Sequence, residues 1–188
     1  MLLLLFPAIL MAVSISREKE IGTITNFYVT PTNRLEFLLG KQLPYIGVGM
    51  VNFVALTLLV VYLLQVPLHG SLLGLSAGAL LYVFTATGFG LFVSSITKSQ
   101  VAAVFATAVL SLMPTIQFAG MIQPTSTLEG GGRLVGTLWP ATYYMHLSVA
   151  AFTKGLGFAD LMPDLVALAI FGPVLVVIAA AFLKKQEA

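Results

Sequence analysis

The densest group of ionisable side chains in this sequence is Arg17-Glu18-Lys19-Glu20, in a chain where charged residues make up only 9%. Elsewhere the residue types that do catalysis are scattered. His69 and His146 are far apart in sequence and lack ligand spacing, so they read as satisfied interfacial histidines and no metal site is expected. Ser111 and Ser148 have no nucleophile context, and the absence of cysteine excludes disulfides and thiolate metal sites. Gly40-Lys41 is followed by Gln42 and lacks the earlier spaced glycine of a phosphate-cradling loop. The chain is therefore expected to be no enzyme and to carry no cofactor. If the process it serves runs on ATP, the ATPase belongs to another chain or domain.

The charged group opens a polar stretch, 15–43, whose pattern suggests two short helices. Ile21, Ile24, Phe27 and Tyr28 recur at helical spacing and give an amphipathic segment with an aromatic end. Thr30-Pro31 interrupts it, because the residue before proline avoids helical angles. Asn33 with Glu36 three residues later resembles a capping box, opening a second helix from Arg34 to about Gln42. Its apolar face is Leu35, Leu38 and Leu39, and it leads into a membrane span at Pro44. Two readings fit this stretch. One is an amphipathic helix lying on lipid headgroups. The other is a lever, tied at both ends to membrane helices, that takes force from a cytoplasmic partner. The mixture of acidic and basic residues favours the lever, since a surface-lying helix is richer in Lys and Arg.

The elements that position this stretch are membrane helices. Hydrophobic residues make up 59% of the chain, too many for a globule with a polar surface. Apolar runs long enough to span cover Pro44–Leu64, Leu72–Val93, Val101 to about Phe118, and Leu165–Leu183. A shorter run, Met1–Ser14, reads as the tail of a span whose beginning lies outside the sequence, or as a shortened re-entrant segment. That makes about five transmembrane helices, the first one partial, in an all-α membrane protein. Strands of a barrel would alternate strictly over about ten residues, and these runs are apolar on every side.

Charge sets the orientation. Arg17, Lys19, Arg34, Lys41, Lys98, Lys184 and Lys185 fall on one side if the runs alternate in direction, and only Arg133 and Lys154 on the other. The positive-inside rule makes the first side cytoplasmic, and with it the C-terminus. The net charge of +2 is spread singly along the chain, which argues against a nucleic-acid partner and for topology signals.

The outer segment 119–163 combines Gln123-Pro124, three glycines before Arg133, Trp139-Pro140 and the aromatic group Tyr143, Tyr144. It reads equally as a re-entrant segment or as an interfacial loop with aromatic anchors. No charge sits at the middle of a span, which argues against proton-coupled transport and suits a device powered from outside the membrane. Asn52, Thr107, Thr115 and Gln117 are candidates to line a substrate path, with helix-to-helix hydrogen bonding as the commoner role. Gly70, Gly74 and Gly78, and again Ala86 and Gly90, are spaced by four and would let helices approach closely.

The stretch Arg17–Tyr45 resembles the cytoplasmic loop of ABC-2 type permeases, the membrane subunits of one class of ATP-binding cassette transporter. The resemblance rests on Arg17-Glu18-Lys19-Glu20, Gly22-Thr23, Thr30-Pro31, Glu36 and Gly40-Lys41. The wording of Asn26-Phe27-Tyr28 and of Leu38 to Tyr45 is similar to a subgroup containing the membrane part of ribosome-associated ATPases and related drug-efflux permeases. Thr25 and Asn26 stand where many members have an acidic residue. The resemblance implies that 1–188 is one permease transmembrane domain lacking its N-terminal span or spans. It implies an inner-membrane exporter subunit working with an ABC ATPase, which holds ATP and Mg, and with a second permease. Residues of the coupling segment would then be Arg17, Glu18, Lys19, Glu20, Gly22, Thr23, Phe27, Tyr28, Pro31, Glu36 and Lys41. The alternative function is a membrane anchor or assembly subunit for such an ATPase, which moves nothing.

Overall fold

A computed structural model of the chain describes residues 1–22, 34–120 and 130–183. Seven α-helices follow one another: α1 (Leu2–Ile21), α2 (Arg34–Leu58), α3 (Leu72–Ile96), α4 (Gln100–Phe118), α5 (Gly130–Leu138), α6 (Pro140–Val149) and α7 (Met162–Leu183). No strand occurs among the described residues. A π-helical turn, Leu59–Leu63, extends α2, and another, Ala150–Lys154, extends α6. Four helical stretches are long and apolar enough to cross a membrane: Leu35–Leu63, Leu72–Ile96, Gln100–Phe118 and Ala159–Phe182.

Two boundaries differ from the sequence reading. The charged group Arg17–Glu20 does not begin a separate helix; it forms the last turns of α1, which continues to Ile21. Gly22 closes that helix in the left-handed conformation (φ 76°), with its N–H donated to the Lys19 carbonyl. A glycine reaches this conformation without the steric cost of a Cβ, so the helix ends there. The expected short helix over 34–42 is likewise not separate. It is the start of α2, which runs through Pro44 without a break. Thr23, Phe27, Tyr28 and Pro31, with the rest of 23–33, lie outside the described residues, as do 121–129 and 184–188.

Helix α3 is the centre of the bundle. About two thirds of its apolar span (67%) is buried, against 11% for α2 and 28% for α7. Its composition explains this: small residues Gly74, Gly78, Ala79, Ala86 and Gly90 are all buried and let neighbours come close. A Cβ at Gly90 would overlap the Ala8 carbonyl oxygen of α1, so α1 and α3 touch backbone to backbone there. Gly78 receives Leu147 of α6, and Gly74 receives Leu161 just before α7. Serines start two of the helices in the expected way. Ser71 Oγ accepts from Gly74 N at 3.1 Å, and Ser99 Oγ from Ala102 N at 3.2 Å, each satisfying one of the orphan amides of a helix start.

Helix α6 runs antiparallel along α3. Trp139, at its start, meets Phe89 edge-on at 5.7 Å; Tyr144 stacks on Tyr82 at 4.5 Å and 4°. Leu147 then meets Gly78, and Ala151 meets Gly70. Counting from Leu72, Phe89 is the eighteenth of the 25 residues of α3. The junction of α5 and α6 therefore lies well inside the length of the bundle, where the sequence reading left a re-entrant segment and an interfacial loop equally open.

Candidate functional site

The charged last turns of α1 meet the ends of three other helices. Lys19 Nζ donates to the carbonyl oxygens of Ser94 (2.6 Å), Ser95 (3.2 Å) and Thr97 (3.5 Å). These carbonyls close α3, whose C-terminal cap is Thr97. The last carbonyls of a helix have no partner within it and carry the negative end of its dipole, so a cation belongs there. Glu20 does the reverse. Its carboxylate accepts from Gln100 N at 2.7 Å, and its second oxygen accepts from the Gln100 side-chain amide. Gln100 is the first residue of α4, where free amides and the positive dipole end favour an anion. Consecutive residues of α1 thus hold the two sides of the α3–α4 turn, Thr97–Ser99.

Glu18 faces the other way and pairs with Lys41 of α2. The Lys41 ammonium also lies 5.5 Å from the centroid of the Phe37 ring, one turn earlier in α2. Beneath these charges an apolar cluster of Met11 and Ile15 from α1, Leu38 from α2, Leu91 from α3, and Val176 and Ala179 from α7 joins the same helix ends. Phe92 of α3 and Phe182 of α7 meet edge-on at 6.0 Å beside it. Among the described residues the ends of α1, α3 and α7 and the beginnings of α2 and α4 converge here.

Two ionisation equilibria respond to this setting. Lys19 lies past the apolar part of α1, and its half-burial pushes the ammonium down to about 8. Glu20 is held below its ordinary range by the hydrogen bonds from the Gln100 side chain and backbone. Arg17 is exposed, and Glu36 is exposed in the first turn of α2, where an acidic side chain suits the helix dipole.

The four residues suggested for a substrate path do not form one group. Thr107 and Thr115 are buried on one face of α4 with Ser111 between them, at helical spacing. Thr115 Oγ1 donates to the Ser111 carbonyl (2.6 Å) and accepts from Trp139 Nε1 (2.8 Å), so its hydroxyl ties α5–α6 to α4. Thr107 is fully buried and its hydroxyl has no hydrogen-bond partner among the described residues. Gln117 is exposed, pointing away from that face. Asn52 sits on α2, which packs on α3 and α1, whereas α4 packs chiefly on α1. The histidines lie near the other end of α3. His69 Nδ1 is 3.4 Å from the Phe152 carbonyl, and His146 Nδ1 is 3.7 Å from Asp164. Among the described residues no group of three metal-ligating side chains forms.

Sequence reasoning did not single out Gln100, which holds the anion at the start of α4. Its only sequence signal is a Ser99 N-cap directly before it.

A family model described as an ABC-2 family transporter protein matches residues 1–181. Among curated proteins, the chain is 32% identical over 148 residues to the probable multidrug ABC transporter permease YbhS of Escherichia coli strain K12, covering 79% of this chain and 39% of that one. It is 27% identical over 157 residues to the inner membrane transport permease YhhJ of the same organism, covering 83% and 42%. It is 28% identical over 120 residues to the probable multidrug ABC transporter permease YbhR, covering 64% and 32%. The chain thus spans about two fifths of the length of the first of these relatives. No solved structure matches it. With a match over nearly all its residues and several apolar helices fit to span a bilayer, the chain is a multi-pass membrane protein of the ABC-2 transporter family.

Proposed function

We propose that this chain forms part of the permease of an ATP-driven exporter in the inner membrane. In this reading the ATP and Mg are held by a partner ABC ATPase, and a second permease, identical or related, completes the pathway. The C-terminus and the charged helix ends face the cytoplasm, in line with the positive-inside rule. The observation that carries the reading is the convergence at Arg17–Lys41. The described residues of the stretch that resembles the family's coupling segment tie the end of α1 to the end of α3 and to the starts of α2 and α4, so a push on them reaches most of the bundle. A lipid-lying helix would have no use for such ties. The segment α5–α6 is the re-entrant element that enters from the outer side, laid along α3 by Tyr144 and, past the middle of that helix, by Trp139. Among the polar candidates for the substrate path, Thr107 and Asn52 are best placed, because the Thr107 hydroxyl and the Asn52 amide nitrogen are buried with no hydrogen-bond partner among the described residues.

The test is copurification followed by transport. The complete permease should bring down an ABC ATPase, stimulate its turnover, and move an exported compound into inverted vesicles only with ATP. Replacing Glu18, Glu20 or Phe27 should reduce both stimulated ATPase activity and transport. An ATPase that binds without stimulation would overturn the exporter reading in favour of a membrane anchor.

A further inference from the structure

We propose that Lys19 and Glu20 are positioning residues that make the end of α1 and the α3–α4 turn a single mechanical unit. The proposal rests on the exporter reading for its purpose, but not for its geometry. Covalently, the coupling segment is attached to α1 and α2 alone. Any movement it receives would otherwise reach α3 and α4 through apolar contacts, which slide easily because they have no direction. The polar contacts are directional. The Lys19 ammonium meets three carbonyls at the end of α3. The adjacent Glu20 carboxylate meets both the backbone amide and the side-chain amide of Gln100 at the start of α4. A cation on a C-terminus and an anion on an N-terminus each complement the local dipole, and two charges adjacent in one helix can do both jobs only across a tight turn. Thr97, Lys98 and Ser99 form that turn.

Below the turn, contact becomes close enough to carry force. Gly90 of α3 lies against the Ala8 backbone of α1, and Leu91 packs with Met11 and Ile15. The polar contacts at the tip therefore fix the register of a pair of helices already in backbone contact. Displacing α1 along its axis displaces the α3–α4 turn with it. Since α3 is the central helix and bears α6 along its length from Phe89 outward, the movement would reach the outer segment through α3.

Spin labels can test this: these 188 residues hold no cysteine, and any cysteine elsewhere in the complete transporter is first replaced by serine. Arg17 and Lys98 are both exposed and can be replaced by labelled cysteines in the complete transporter. With the unit intact, the Arg17–Lys98 distance should be narrow in the resting state and unchanged when nucleotide is trapped on the ATPase. In the Lys19→Met, Glu20→Gln double variant the distribution should broaden, and transported substrate per ATP should fall about fivefold or more, as expected for a lost coupling. Lys19→Arg should retain the narrow distribution, and Gln100→Leu should broaden it if the double variant proves too unstable to measure. A distance that changes with nucleotide in the unmodified transporter, or a Gln100→Leu distribution as narrow as the wild type, would overturn the proposal. If wild-type vesicles show no ATP-dependent transport, the exporter reading fails while the resting-state distributions still decide the clasp.

Discussion

The two ends of this bundle are held by different physics. At one end, charged side chains of α1 reach across to helix termini and to Lys41. At the other, the contacts are backbone to backbone and ring to ring. Gly70 N donates to the Ala151 carbonyl at 2.8 Å and Ser71 N to the Leu156 carbonyl at 3.4 Å, and between there and the middle of α3 Tyr82 stacks on Tyr144. Side-chain charges on helix ends can be made and broken at modest cost, and water or salt can substitute for them. Stacked rings in a packed interior cannot be separated without leaving a void. The difference is one of means: one end is fixed by directional contacts of charged groups with helix ends, the other by packed shape.

That contrast can be broken at several points. The largest effect is expected from Tyr82→Ala, which removes a fully buried ring from the α3–α6 contact and should cost about 3 kcal/mol or more. Unfolding titrations of the purified protein would read it, and a loss much smaller than this would mean the α6 contact is loose. Thr115→Val should cost about 1 kcal/mol by leaving the Trp139 indole without its acceptor, and should free α5–α6 without touching the charged end.

A reversible effect should appear with pH. Raising the pH through about 8 removes the proton from Lys19 and weakens its hold on the α3 carbonyls. The charged groups around it are Arg17, Glu18 and Glu20 of α1, Lys98 of the α3–α4 turn and Lys41 of α2. The sign for folding is opposite to the sign for function. An unfolded lysine keeps its proton to its ordinary value of 10.5, so between about 8 and 10.5 the unfolded chain binds more protons and folded stability rises with pH. Transport should therefore decline across pH 8 while the melting temperature does not. In Lys19→Arg the decline should disappear, because the guanidinium stays charged. The smallest effect is expected from Glu18→Gln. The Glu18 and Lys41 side chains are 29% and 20% exposed, so the pair is worth at most about 1 kcal/mol and its loss should be partly masked by high salt. If Glu18→Gln proved as costly as Tyr82→Ala, the contrast between the two ends would be wrong.

Much of this was legible in the sequence. Four of the spanning helices follow directly from runs of apolar residues, because lipid demands long helices without charges. The family membership was legible in the stretch Arg17–Tyr45. What hydropathy could not show is where α1 ends. Four charges in a row look like the edge of a helix, yet they continue it, because helix termini from elsewhere receive Lys19 and Glu20. Such partners are 75 to 80 residues away and have no local signature. For the same reason Gln100 was invisible: its role exists only once the α3–α4 hairpin brings it beside Glu20. The helix α5 was obscured by three successive glycines, Gly130–Gly132, which ordinarily argue against a helix. The four polar path candidates were chosen for polarity within spans, a criterion blind to which face of a helix each occupies.

The indole of Trp139 offers a use of its own. It is the chain's single tryptophan, and it sits at the α5–α6 junction with its N–H donated to Thr115 and its ring against Phe89. The tryptophan fluorescence of this chain, excited selectively at the red edge beyond the tyrosine band, therefore comes from one place, at the turn of the segment laid along α3. Emission wavelength, quenching by water-soluble acrylamide and quenching by brominated lipid would together read the polarity and depth of that turn. No label would be needed to watch whether that turn stirs when the charged end is engaged.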